Sequence, residues 1–290
     1  MRSEKKGYLE LIIFSLLAGT VGTFVKLIQN MDVYTILFFR AGIATLFIFA
    51  VVLFRKNLKE LYLAYPFRTF LVGFIQGLAL FFYFASILKT SVSNAIFLLY
   101  TAPIFSVIFA KLFFKEKIEK ETVIGIIITL AGIIFIIDPR NFSFNSSQTL
   151  GNFMGLTSGL FYSVMALTAK PILKKKSGYY VAFWQYLVIT IMFLFFLNIK
   201  SSNVIIENWW KLLVIGIVCT GIAFILFMEG VRKVKAQKIF IVTSLEPLAG
   251  TIFALFVLGE IPSSTAIIGA VLILYGVYVT TSRKLVPAYF

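Results

Sequence analysis

The chain has 290 residues, of which 60% are hydrophobic and only 13% charged. That is too little charge to cover a water-soluble domain, so lipid must solvate most of the surface. The formal charge of +15 is carried by short basic clusters between apolar runs, which fits membrane orientation and leaves no basic surface for nucleic acid. Histidine is absent and the one cysteine, Cys219, lies in an apolar run. Imidazole metal sites, His-dependent triads and an intramolecular disulfide are thereby excluded.

Crossing a bilayer takes roughly 20 apolar residues, and the sequence predicts ten spans. The first five are residues 8–28, 33–54, 66–88, 92–114 and 122–137. The second five are 150–170, 179–199, 209–231, 236–258 and 263–282. The basic start followed by a long apolar run has the look of a signal peptide. The run is too long for one, and an uncleaved first helix is expected. Most connections are short, so successive helices should be antiparallel neighbours. The longest, residues 139–149, is polar (Asn141, Asn145, Ser146, Ser147) and separates a first repeat, 8–138, from a second, 150–282. The predicted fold is all-α and polytopic.

With the N-terminus inside, twenty Lys and Arg residues fall in cytoplasmic segments and four outside; Lys26, Arg40 and Lys111 lie within spans. That asymmetry predicts a multi-pass protein of the cytoplasmic (inner) cell membrane with both termini in the cytoplasm.

Residues 92–132 occur twice. Shifted by 144 positions without a gap, Pro103 falls on Pro247, Glu116 on Glu260, Gly125 on Gly269 and Gly132 on Gly276. Ile108-Phe109-Ala110 also matches Ile252-Phe253-Ala254. A repeat of odd span number must run in opposite senses in the two halves. The loops agree: Lys115-Glu116-Lys117 is basic where Gly259-Glu260-Ile261 is not, and span eight ends in Arg232-Lys233-Val234-Lys235 where span three ends in Lys89 alone. Inverted five-helix repeats are a transporter architecture with its site near the midplane.

These residues resemble the drug/metabolite transporter superfamily, in particular ten-helix exporters built of two EamA domains. The likeness rests on Asn94-Ala95, Pro103, Lys115-Glu116, Gly125 and Gly132, on the second copy from Pro247 to Gly276, and on Phe38-Phe39-Arg40 at the start of span two. The resemblance implies a carrier of small metabolites with a central cavity between the halves and the fifth and tenth helices outside it. Its relatives export amino acids, amines and other small solutes, and some import nucleotide-like metabolites. Gln185 stands where the second half would repeat Arg40, so the halves are not equivalent in function.

Glu246 is the leading site candidate. It lies ten residues from the inner end of span nine, about 15 Å deep, where an ionisable group costs at least about 2.5 kcal/mol and is functional by default. It either holds an amine or a proton, or is a buried carboxylate that fixes helix packing. Pro247 next to it leaves the Thr243 carbonyl without its helical donor, and Pro103 marks the matching helix break. Arg40 lies about 10 Å below the outer edge; with Glu246 it would suit a zwitterion. Alternatively it snorkels outward or pairs with Asp32 or Glu246. Thr243, Tyr83, Tyr100, Tyr162, Asn94 and Gln185 complete the candidate lining, although helix packing explains each as well. Glu116 and Glu260 are expected to cap the helices that follow them, and Trp184, Trp209 and Trp210 to anchor at the interface. The small-residue stripes Ala102-Ser106-Ala110 and Glu246-Gly250-Ala254 predict close approach of spans four and nine to each other.

The functional expectation is a secondary transporter exporting amino acids or amines by alternating access, with protons as a candidate coupling ion. A lipid or polyprenyl-carrier flippase is the competing reading, and a membrane-embedded enzyme a distant one, because Glu246 has no second carboxylate at its depth. No Gly-x4-Gly-Lys-Ser/Thr motif is present, and no cofactor or metal is expected. The assembly predicted is a monomer or a homodimer.

Overall fold

The computed structural model describes residues 2–90, 92–137, 148–198, 202–259 and 261–282. Among these, nine helices are long and apolar enough to cross a membrane, and a shorter apolar helix, Gly178–Leu194, makes a tenth. The first span is α1 (Arg2–Gly19) with α2 (Val21–Leu27); the second is α3 (Val33–Phe54) and the third α4 (Pro66–Lys89). Span four is divided into α5 (Val92–Leu99) and α6 (Ala102–Phe114), and α7 (Lys120–Ile137) closes the first repeat. The second repeat runs α8 (Thr149–Leu173), α9 (Gly178–Leu194), then α10 (Ser202–Gly216) and α11 (Ala223–Lys233), joined by a π-helical stretch, Ile217–Ile222. Span nine is divided into α12 (Ala236–Thr243) and α13 (Glu246–Leu258), and α14 (Ser264–Thr281) is last.

The ends follow local chemistry. Asp32 caps α3 by accepting from the amides of Tyr34 and Thr35, each at 3.0 Å, and Ser177 and Ser263 cap α9 and α14 in the same manner. Helices α6 and α13 stop at repeat-related residues in the left-handed conformation, Lys115 (φ 54°) and Gly259 (φ 69°). Each proline removes a backbone donor, and the chain tightens in front of it: Thr101 N bonds Leu98 O, and Leu245 N bonds Val242 O. Both interruptions therefore fall at the same repeat position.

Two expected boundaries move. Span seven ends at Leu194 rather than 199, and span eight begins by Asn203 rather than 209. The start of span eight looks like a loop because it holds Glu207 and Asn208. Asn208 is instead 1% exposed and donates from Nδ2 to the Gln29 carbonyl at 3.1 Å.

Close packing runs mostly between the repeats: α8 on α4, α14 on α7, α9 on α3, α11 on α1, and α12 on α6. The two halves of the sequence interlock. Helices α7 and α14 pair so that Gly125 faces Gly276 and Gly132 faces Gly269, where added Cβ atoms would come within 3.0 Å of backbone oxygens. Such crossed self-pairing is what a two-fold relation between copies requires.

The small-residue stripes are used differently from the expectation. Gly250 on α13 meets α1, not span four: a Cβ at Gly19 would stand 2.4 Å from the Glu246 carbonyl, and one at Gly250 2.9 Å from the Gly19 carbonyl. In the other copy, a Cβ at Gly159 of α8 would stand 2.7 Å from the Leu98 carbonyl, beside the break in span four. Only backbone fits against backbone at these two crossings. The stripe on α6 meets α12, the N-terminal half of span nine, with Ser106 Oγ donating to the Ala236 carbonyl at 2.7 Å.

Candidate functional site

The break in span nine makes Glu246 the first residue of α13, where the unpaired amides of a helix start favour a carboxylate. Its two oxygens differ. Oε2 accepts from the Tyr100 hydroxyl at 3.3 Å; Oε1 is buried with no hydrogen-bond partner. Tyr100 belongs to the break in span four, so the two interruptions meet across the pseudo-two-fold. Tyr83 on α4, Tyr162 on α8 and Tyr186 on α9 stand around the same carboxylate, the Tyr162 hydroxyl close beside it. Tyr162 is wedged between Phe227 and Phe240, at ring-centroid distances of 6.2 and 4.8 Å.

Arg40 on α3 is 9% exposed, so it does not snorkel, and Asp32 is committed to its cap. Arg40 Nε donates to Thr220 Oγ1 in the π-helical stretch at 2.6 Å. Arg40 and Glu246 feel each other's charge, yet no ion pair within 4.0 Å joins them among the described residues. A buried cation and a buried carboxylate thus lie in one interior region without forming an ion pair. Tyr100 and Tyr162 are 9% and 8% exposed, so the centre is closed in this conformation.

Tyr186 was not anticipated. It is 1% exposed, its ring stands edge-on to Phe224 at 5.1 Å, and its hydroxyl lies near Arg40. Its depth, next to Gln185, was the available signal. Other expected lining residues make local or structural contacts. At Gln185, α9 packs on α4, so that a Cβ on Gly73 would meet the Gln185 backbone carbonyl at 3.0 Å, and both side-chain amide atoms are buried without partners. Asn94 donates to Thr90 and Asn152 at 3.1 and 3.0 Å, fastening α5 to α8. Thr243 returns its hydroxyl to the Phe240 carbonyl.

The two-copy pattern has a counterpart in known proteins: the model of the EamA-like transporter family matches residues 5–138 and again 149–282. The chain belongs to the EamA-like transporter family. An uncharacterized transporter of Archaeoglobus fulgidus is 28% identical over 96% of this chain and 97% of its own length. The transporter YxxF of Bacillus subtilis, also named uncharacterized, is 25% identical over 98% of this chain and 92% of its own. A solved crystal structure superposes with a TM-score of 0.85 over 96% of both chains at 19% identity, a likeness of fold alone.

In this EamA-like transporter the face with most basic residues is tied together by side chains from both repeats. Glu116 accepts from the amides of Ala236 and Gln237 at 3.1 and 3.4 Å. It therefore caps α12 across the repeat boundary, not α7 as expected; Glu260 lies outside the described residues. Glu119 binds Lys235, and Lys238 at 2.7 Å. Burial raises the Glu119 carboxyl, but hydrogen bonds from Lys235 and Lys238 outweigh it and hold its pKa below the ordinary value. The same bond to Glu119 raises the Lys235 ammonium. Lys170 donates to the carbonyls of Val231 and Val234, and Lys233 bridges Glu10 and Glu229 at 2.6 and 3.0 Å.

Proposed function

We propose that this EamA-like transporter is a secondary carrier that exports a small zwitterion or amine, with amino acids as the leading class. The observation that carries the reading is the unpaired Glu246 Oε1 in the same closed centre as an Arg40 that does not reach it. A buried acceptor without a donor costs about 1–3 kcal/mol, and an ammonium group would relieve that cost. Arg40 would take the carboxylate end, for which its planar fork is suited, and Tyr83, Tyr100 and Tyr162 would offer ring faces to the cation. Thr220 and Tyr186 hold or flank Arg40 and would set its position.

Alternating access would open this centre by loosening one set of interrupted helices at a time. The tie between Glu116, Glu119 and α12 would have to part for the basic face to open. Under this reading that face is cytoplasmic, both termini are inside, and the protein resides in the cytoplasmic membrane. Glu246 would be the proton carrier if export is proton-coupled.

The test is a thermal-shift screen of detergent-purified protein against amino acids, polyamines, nucleosides, dicarboxylates and lipid head groups. A ligand at 100 times its Kd adds about 2.7 kcal/mol to the folded state. Stabilisation of wild type by an amino acid, lost in both Glu246→Gln and Arg40→Gln, is the expected result. A response limited to lipid-like compounds and unchanged in both variants would remove the central site and favour a flippase.

A further inference from the structure

The chain between α3 and α4 lies at the basic end of the spans, and it is built onto the second repeat. Trp184 Nε1 donates to the Leu61 carbonyl at 3.0 Å. The Tyr180 hydroxyl accepts from the amides of Ala64 and Tyr65, each at 3.3 Å, and bonds Thr69 at 3.1 Å. Held in this way, the segment forms one wall of an open groove of about 700 Å³ lined by Phe49, Leu58, Lys59, Leu61, Tyr62 and Phe183. Phe49 lies five residues inside the end of α3, about 7 Å deeper than the rim at 1.5 Å per residue. The groove is therefore apolar in its depth and carries an ammonium at its mouth. Apolar side chains face outward beside it, with Phe54 85% and Tyr62 75% exposed.

Charge separates this region from the rest of the same face. The basic residues of α11 and its following loop are neutralised: Arg232 and Lys233 by Glu229, Lys233 also by Glu10, and Lys235 and Lys238 by Glu119. Lys59 lines the groove; Arg55, Lys56 and Arg68 lie in or next to the same connecting segment in sequence, and Lys174, Lys175 and Lys176 follow α8 just ahead of α9, which supplies Phe183. Among the described residues no ion pair to a carboxylate involves any of these seven. The one local acid, Glu60, accepts from Asn57 at 3.2 Å. Three of the cations lie instead over rings: Arg55 over Tyr179 at 4.7 Å, Lys175 over Tyr65 at 5.9 Å and Lys176 over Tyr180 at 5.1 Å.

We propose that this groove is a binding site for an anionic phospholipid of the leaflet on the basic face. An acyl chain lies along Phe49, Leu61 and Phe183, and the phosphate is held by Lys59 and Lys56. Uncompensated cations at headgroup height beside an apolar cleft are what anionic lipid recognition requires, and a zwitterionic headgroup would gain little from them. Because the segment is bonded to α9, a bound lipid would brace the first repeat against the second. The proposal does not depend on the identity of the transported solute.

The experiment uses the full chain in detergent micelles, titrated with phosphatidylglycerol or with phosphatidylcholine of the same acyl chains, reading the thermal midpoint. Phosphatidylglycerol is expected to raise the midpoint by several degrees and phosphatidylcholine not to. In Lys56→Asn/Lys59→Gln, where asparagine tolerates the left-handed backbone of residue 56 (φ 52°), that shift should need on the order of 25-fold more lipid, about fivefold per cation removed. The control Lys115→Gln/Lys117→Gln removes two lysines from another loop on the same face and should titrate as wild type. Equal shifts with both lipids, or an equal loss in the control, would overturn the site. The midpoint without added lipid shows that both variants are folded.

Discussion

Spans four and nine are two copies of one segment, and only one copy carries the charge. Both break in front of a proline, Pro103 and Pro247, and both stop at a left-handed residue 144 positions apart, Lys115 and Gly259. Where span nine places Glu246, span four has Ala102; where span four places Tyr100, span nine has Ser244. The two-fold relation brings the breaks together, so the Tyr100 hydroxyl of one copy reaches the Glu246 carboxylate of the other. Duplication made the backbone twice, and divergence then distributed a donor and an acceptor between the copies. Arg40 follows the same rule: its bond is to Thr220 of the other repeat, while its repeat mate Gln185 bonds to nothing.

Restoring symmetry in charge should do the most harm. Ala102 is 1% exposed, and in Ala102→Glu a second carboxylate would be buried without the donor that Tyr100 gives Glu246. A loss of about 3 kcal/mol or more is expected, read as the unfolding midpoint in mixed micelles. A near-neutral outcome would mean that span four has cationic or hydrogen-bonding partners to spare, and the contrast between copies would fall.

Breaking the symmetry in packing should cost less. Gly19→Val sets a side chain against the Glu246 carbonyl, and Gly159→Val one against that of Leu98; each should destabilise by about 2 kcal/mol through overpacking. Gly19→Val should weaken ligand binding more, because that crossing bears on Glu246 itself, whereas the Gly159 crossing acts through Tyr100. Equal effects of both variants on binding would show that the breaks act as a unit.

The smallest effect lies at the tie on the basic face. A carboxylate whose folded pKa is depressed contributes stability above its unfolded value, lost as pH falls through the folded one. The advantage of wild type over Glu119→Gln should hold between about pH 6 and 8 and shrink below the ordinary carboxylate value of 4.5. Glu119 is one quarter exposed, and screening by solvent should keep the difference to a degree or two in the thermal midpoint. A difference that grows with acidification would contradict the depressed pKa.

Much of the architecture was legible because lipid imposes it. Apolar length bracketed by charge placed residues 33–54 and 236–258 at the observed limits, and prolines in register marked both breaks. The alternation of spans put Lys170, Lys233 and Lys235 at one end of the helices, where they are found together. Glu246 and Arg40 stood out because an ionisable side chain within a span needs a reason. Local spacing, solvent preference and backbone chemistry decide such features, and all three are written along the chain.

What packed against what was a different matter. Glu116 caps α12 rather than the helix that follows it, Gly250 meets Gly19 rather than span four, and Asn94 is bonded to Thr90 and Asn152. Tyr186 stands near Arg40, a neighbour its depth in the span does not identify. A hydrogen-bonding group or a bare glycine states that a partner is needed, not which one. In a bundle whose helices pack mainly on the opposite repeat, the partner is selected by crossing angle and depth, and only the tertiary structure decides those.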